Sequence, residues 1–191
     1  MNQRMLLHFL LAGAIAAFMF CAASSAEGRT DKGGRKIPWH DFSTWRYNTQ
    51  GVVLTHFDGD TTVVREGGEE RRIRLIGIDA PEFGHSGKAV CADQPYAGKA
   101  KLALESRLPK GAVVEIKVFG DDAYGRLLGE IFYEGSSVNL WLVRNGYAEV
   151  YGGRSVPAQY REAEKLAKAE RLGIWADEKR EPPRKYRRRC R

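Results

Sequence analysis

The sequence predicts an α+β fold in which a small five-stranded barrel carries three flanking helices. Two observations lead there: five short β-branched runs are separated by strong turn signals, and the stretches with helical periodicity do not alternate strictly with them. The chain has 191 residues, of which 43% are hydrophobic, enough for one core and too few for two large ones. Gly51–Phe57, Thr61–Arg65 and Arg71–Ile78 form a three-stranded meander, divided by Asp58-Gly59-Asp60 and by Glu66-Gly67-Gly68. In Ala112–Phe119, Ala112, Val114, Ile116 and Val118 alternate with Glu115 and Lys117, the period of a half-buried strand. A turn over Asp121-Asp122-Ala123-Tyr124-Gly125 leads into the fifth strand, Arg126–Tyr133. Ala97, Ala100, Leu104 and Leu108 recur at helical spacing between the two groups. Val138–Asn145 reads as a short helix, and Val156–Arg171 as a longer one opened by Ser155 and Pro157 and stopped at Gly173. This order fits a closed barrel of the oligonucleotide-binding (OB) type better than a parallel α/β sheet.

The flanks differ in character from this centre. Residues 1–26 have a positive start at Arg4, an almost wholly apolar Met5–Phe20 and small residues Ser24-Ser25-Ala26, the pattern of an export signal. An uncleaved anchor is the alternative reading of the same stretch. Residues 27–50 form a polar leader, 51–176 the folded domain and 177–191 a basic tail. Trp39, Phe42, Trp45 and Tyr47 in or beside the leader could stack on bases or simply pack on the domain. The net charge of +7 sits at the ends: Arg184, Lys185, Arg187, Arg188, Arg189 and Arg191 crowd the last residues, while acids and bases balance in between. A basic tail of this kind is expected to be a solvated run that adds salt-sensitive affinity for a polyanion. Once a signal carrying Cys21 is removed, Cys91 and Cys190 remain. They stand either as free thiols or as a bridge from the tail to the loop containing Cys91. Neither their spacing nor that of the four His residues, among them His40, His56 and His85, suggests a zinc or catalytic site.

The chemistry concentrates at three places. Asp58-Gly59-Asp60-Thr61 alone is an ordinary turn. Arg74, however, lies inside an apolar strand, so its guanidinium must be paired or reach a polar mouth. Asp79 and Glu82 follow just past that strand, with Pro81 rigidifying the turn between them. Arg126 opens a later strand after Gly125. Separately, each has a structural explanation such as a salt bridge or a solvated charge; together they put several acids and two arginines on one small barrel, and rigid carboxylates suit a hard cation.

In order and spacing, Asp58-Gly59-Asp60-Thr61, Arg74-Leu75 through Asp79-Ala80-Pro81-Glu82, and Asp122 through Tyr124-Gly125-Arg126 resemble the motifs of the staphylococcal-type nuclease (thermonuclease) family. The resemblance runs from about Gly51 to Trp175. It implies an OB barrel and Ca²⁺-dependent hydrolysis of phosphodiester bonds in DNA and RNA. Asp60 and Asp79 would bind calcium through their carboxylates. Ala80, where the family usually has threonine, would contribute only its backbone carbonyl. Glu82 would orient or deprotonate the attacking water, Arg74 and Arg126 would hold the phosphate, and Tyr124 would contact a terminal phosphate. The loop Phe83–Pro95 departs from the family pattern, and Tyr147 and Tyr151 only partly match its base-stacking tyrosines.

The resulting expectation is a secreted or periplasmic, monomeric, calcium-dependent endonuclease of low sequence specificity. It would act on DNA and RNA, prefer single-stranded or flexible regions, and need no obligate protein partner. The rival is a noncatalytic OB module that binds nucleic acid without cutting it. Completeness separates the two: Asp60, Arg74, Asp79, Glu82 and Arg126 are all present, although acids repel phosphate and serve mere binding poorly.

Overall fold

The computed structural model describes residues 42–84 and 91–190. The expected export signal, most of the leader with Trp39 and His40, and His85 lie outside the described residues. Among the described residues, eight strands run in chain order as β1 (Tyr47–His56), β2 (Thr61–Glu66), β3 (Glu69–Leu75), β4 (Ile78–Asp79), β5 (Val113–Asp121), β6 (Leu127–Tyr133), β7 (Ser136–Ser137) and β8 (Glu149–Val150). The helices are α1 (Ala97–Arg107), α2 (Val138–Arg144), α3 (Ala158–Ala169) and α4 (Pro183–Arg189). Antiparallel pairing sets the order β3-β2-β1-β5-β6, and a parallel pair between β3 and β6 closes the sheet on itself. The expected five-stranded barrel is therefore present. Its small strands β4 and β8 pair separately.

The strands follow the expected periodicity. In β5, Val114, Ile116 and Val118 are buried, whereas Val113 and Glu115 face out. They meet Val53, Val64, Ile73, Leu75, Leu127 and Ile131 in the barrel interior, capped by Leu104 of α1 and Leu142 of α2. Burying a Leu or Ile of this kind contributes about 1.5–3 kcal/mol. The first strand starts at Tyr47, ahead of the Gly51 expected, because Tyr47 through Val52 pair with Val118 through Val113. Phe42 packs edge-on against Phe119 and Tyr160, with ring centroids at 5.1 and 5.5 Å, so this aromatic of the leader belongs to the core.

Three helices stand where the sequence places them. Ser137 caps α2 by accepting the Leu140 N–H at 3.2 Å. The fourth helix corrects the expected count of three. A residue run rich in arginine forms α4 because Pro183 opens it with a fixed φ, Tyr186 buries a ring beneath it, and Cys190 is bonded to Cys91. The Tyr186 hydroxyl donates to the Ala92 carbonyl at 2.9 Å, and Gln94 donates through Nε2 to the Glu181 carbonyl at 3.0 Å. The tail is thus fastened across the molecule to the segment that follows Glu82. No helix among the described residues is long and apolar enough to cross a membrane.

One buried histidine makes stability pH-dependent. His56 Nε2 lies 2.9 Å from the Leu108 carbonyl, which places the ring proton on Nε2, and Nδ1 is buried with no hydrogen-bond partner. Burial lowers its pKa from the ordinary 6.5, with the Leu108 contact opposing. The unfolded chain therefore takes up a proton at a pH where the folded one does not. This part of the stability is complete above about pH 6.5 and falls as pH drops below it, levelling once the folded ring also protonates. Melting temperatures recorded from about pH 7 to about pH 5 should decline more steeply for the wild type than for His56→Gln; parallel slopes would contradict this.

Candidate active site

The turn between β1 and β2 delivers the first acid. Asp58 accepts the backbone N–H of Asp60 at 3.0 Å, and Gly59 passes so close to Ala80 and Ala100 that a Cβ there would lie 2.8 and 2.7 Å from their methyl carbons. Only glycine lets this turn press against the segment that carries the other acids. Thr61 pairs with Arg74 across β2 and β3, which sets Asp60 beside the Arg74 guanidinium. Arg74 Nη1 lies 2.6 Å from Asp60 Oδ2, and Nη2 lies 2.8 Å from Asp79 Oδ1. One buried fork thus joins two carboxylates, one supplied by the turn between β1 and β2 and the other by β4. Asp60 Oδ2 also accepts the Ala80 N–H at 2.7 Å. The contact that Ala80 makes here is through its amide, whereas the resemblance implied its carbonyl.

Arg74 escapes the barrel interior because its side of β3 faces outward with Leu128, its partner on β6. Ile76, Phe119 and Leu128 form a small cluster on that side, beneath Phe42. The same seam brings in Arg126. Asp122 Oδ1 accepts the N–H groups of Tyr124 and Arg126, and Gly125, at φ 73°, completes the turn. Asp122 Oδ2 then accepts Arg126 Nε at 2.7 Å, aiming the guanidinium at Thr61, whose Oγ1 is 3.5 Å away. Arg126 also lies 5.6 Å over the ring of Tyr124, which is exposed at the rim. A cleft of about 610 Å³ results, lined by Asp60, Arg74, Glu82, Tyr124, Arg126 and Tyr151 among others.

Of the anticipated side chains, Asp60, Arg74, Glu82, Tyr124, Arg126 and Tyr151 line the cleft, and Asp79 and Ala80 are buried beneath it. Tyr147 does not line it: its ring stacks on Trp141 at 5.8 Å, as core packing. Sequence reasoning missed three participants. Arg72, over the Phe57 ring at 4.3 Å, adds a further guanidinium to the wall. Gln94 accepts the Glu82 N–H through Oε1 at 2.9 Å, and its own N–H reaches the Glu82 carbonyl at 2.9 Å, fixing the backbone beneath that acid. Arg187 of α4 donates to both oxygens of Asp79 at 2.8 Å and also to Glu82 Oε1. The paired cysteines were the signal that could have found it.

The electrostatics are those of crowded acids looking for positive charge. Burial pushes the Asp60 carboxyl up, Arg74 pulls it down, and Asp58, Asp79 and Glu82 push it up again. Burial opposes the charge on Arg74, but Asp60 and Asp79 raise its pKa and hold it protonated. Among the described residues no group of three or more His, Cys, Asp and Glu is arranged to hold a metal by itself. The donor chemistry nevertheless fits a hard divalent cation. The described residues set the carboxylates of Asp60, Asp79 and Glu82 together here, and Asp79 with Glu82 already grips a stand-in cation, the Arg187 guanidinium.

A five-stranded barrel with arginines and carboxylates set along its closing seam defines an OB-fold protein with a charged, open site. A family model described as staphylococcal nuclease homologue matches residues 72–177, and the chain belongs to that family. An uncharacterized endonuclease of Haemophilus influenzae is 33% identical over 146 residues, covering 74% of each chain. A micrococcal nuclease of Shigella flexneri is 33% identical over 161 residues, 78% of this chain and 83% of that one. Endonuclease YhcR of Bacillus subtilis is 35% identical over 137 residues, or 66% of this chain, which spans only 11% of that much longer protein.

Proposed function

We propose that the protein is a nuclease, and more closely an exported, calcium-dependent endonuclease that hydrolyses phosphodiester bonds of DNA and RNA with little sequence preference. The observation that carries this reading is the single buried Arg74 fork shared by Asp60 and Asp79, with Arg126 and Glu82 on the same cleft. The names of the relatives support the class of reaction. The apolar start of the sequence supports export.

In this reading Arg74 and Arg126 receive the phosphate. Planar forks match its oxygens and stabilise the negative charge that builds as the phosphorus becomes five-coordinate. Glu82 accepts a proton from the water whose oxygen bonds to phosphorus, while the bond from phosphorus to the leaving oxygen breaks. Asp60 and Asp79, with the Ala80 carbonyl as the further oxygen implied by the family, would hold calcium. When bound there, calcium would supply Lewis-acid neutralisation of the phosphate and would help orient the water. Tyr124 at the rim would meet the substrate's end. The cleft is open to solvent but Asp60 and Arg74 are almost wholly buried in it, so a strand that can bend inward should react faster than a stiff duplex.

Heat-denatured DNA, duplex DNA and RNA should be incubated with the purified protein in calcium and in chelator. Cleavage of all three, fastest for the denatured strand and abolished by chelator, is the expected outcome. Retarded migration without cleavage in calcium would instead identify a binding module.

A further inference from the structure

The C-terminal helix does something that the expected role of a loose basic tail does not explain. Its neighbours Arg184 and Arg188 are exposed, yet Arg187 turns inward and meets Asp79 beneath the cleft and Glu82 on its wall. Nη1 and Nη2 take one oxygen each of Asp79 at 2.8 Å, and Nη1 also reaches Glu82. Asp79 Oδ1 is shared with Arg74, so both of its oxygens are engaged by guanidinium and the residue has no exposed surface. Asp79 is a proposed calcium ligand and Glu82 the proposed base. A side chain that holds both cannot be accidental decoration, because a charge on a seven-residue surface helix would ordinarily remain in water.

The anchoring is equally specific. Cys190, about one helical turn beyond Arg187, is bonded to Cys91, across 99 residues of sequence. Tyr186 is buried beside it and its hydroxyl is bonded to Ala92. Gln94 clasps Glu82 with its amide oxygen and the chain before α4 with its amide nitrogen. The bridge, the tyrosine and the glutamine all fix the helix to the segment immediately after Glu82, so the guanidinium and the acid it covers are positioned by the same short stretch.

We propose that Arg187 is an internal competitor for the cation site: latched by the Cys91–Cys190 bridge, it occupies Asp79 and Glu82 and must be displaced before a divalent cation and substrate can engage them. The inference rests on the assignment of Asp79 and Glu82 made above. It predicts that the oxidised full-length protein binds calcium weakly, and that loss of the competing charge or of the latch tightens binding.

Calcium titrated calorimetrically into the wild type, Arg187→Ala and Arg188→Ala decides it. Arg188 is the control, an exposed residue of the same helix with the same charge. Arg187→Ala should bind calcium at least about tenfold more tightly than the wild type, and Arg188→Ala should match the wild type. Should the alanine variant not fold, Arg187→Gln and the wild type reduced with dithiothreitol give the same comparison, each shifting toward tighter binding. Equal affinities of wild type and Arg187→Ala, equal tightening by Arg188→Ala, or no calcium binding by either protein would overturn the proposal. So would a loss of DNA cleavage in Arg187→Ala at unchanged calcium affinity, which would make Arg187 a substrate contact. Tighter calcium binding without any DNA cleavage would leave the competitor standing and remove the nuclease reading instead; cleavage by the wild type with affinities unchanged would do the reverse.

Discussion

Glu82→Gln should lower the rate of phosphodiester cleavage by about 10²- to 10⁴-fold, the usual contribution of a positioned general base. The substitution keeps the length and the planar end of the side chain but removes its capacity to take a proton at neutral pH. The backbone of residue 82 should stay in place, since Gln94 holds it through both its N–H and its carbonyl. A melting temperature close to that of the wild type, measured alongside single-turnover cleavage of denatured DNA, separates lost chemistry from lost structure. Retention of more than a tenth of the rate would exclude Glu82 as the proton acceptor. Because Arg187 also contacts this acid, the comparison is cleanest in an Arg187→Ala background, where the internal cation no longer masks the change.

The largest effect on stability is expected at Asn139, which is fully buried at the start of α2. Its Oδ1 accepts the Ile131 N–H at 3.1 Å, and its Nδ2 donates to the carbonyls of Ile76 and Gly129 at 3.0 and 3.1 Å. One amide thus pins a helix to the barrel strand β6 and to the turn between β3 and β4. Asn139→Ala strips three bonds in a place without solvent; the Gly129 carbonyl keeps the Ile76 N–H, while the Ile131 N–H and the Ile76 carbonyl lose the amide, at about 1–3 kcal/mol for each group left unsatisfied. A loss of about 3 kcal/mol or more in urea unfolding is expected, whereas a loss below about 1 kcal/mol would mean that the neighbours repair the gap. The turn it holds leads directly to Asp79, so calcium affinity should fall in the same variant.

Much of this was legible from residue order because the relevant signals are local. Asp-Gly and Gly-Gly pairs mark where strands end, and alternation in Ala112–Phe119 marks which side is buried. Arg74 stood out because a guanidinium within an apolar strand needs a partner, and the structure supplies two. What escaped notice depends on contacts distant in sequence. Asn139 looks like any polar residue near a helix start, and only the packing of α2 on β6 shows what it satisfies. Gln94 sits in a loop that departs from the family pattern. Arg187 was hidden by its company: among so many arginines, hydration is the sound expectation, and a helix of Pro183–Arg189 has little apolar periodicity to announce it. The bridge between Cys91 and Cys190, left open by the sequence, is what carries this run to the cleft.

The parallel seam between β3 and β6 has a consequence for timing. Ile73, Arg74 and Leu75 lie beside Leu127, Leu128 and Gly129, stretches that cannot meet until the chain through Gly129 has been made, and whose wide separation makes their pairing slow. Arg74 and Arg126 consequently share a cleft only once the barrel has closed. A chain still emerging from the ribosome holds every one of these side chains without the arrangement that the closed barrel gives them.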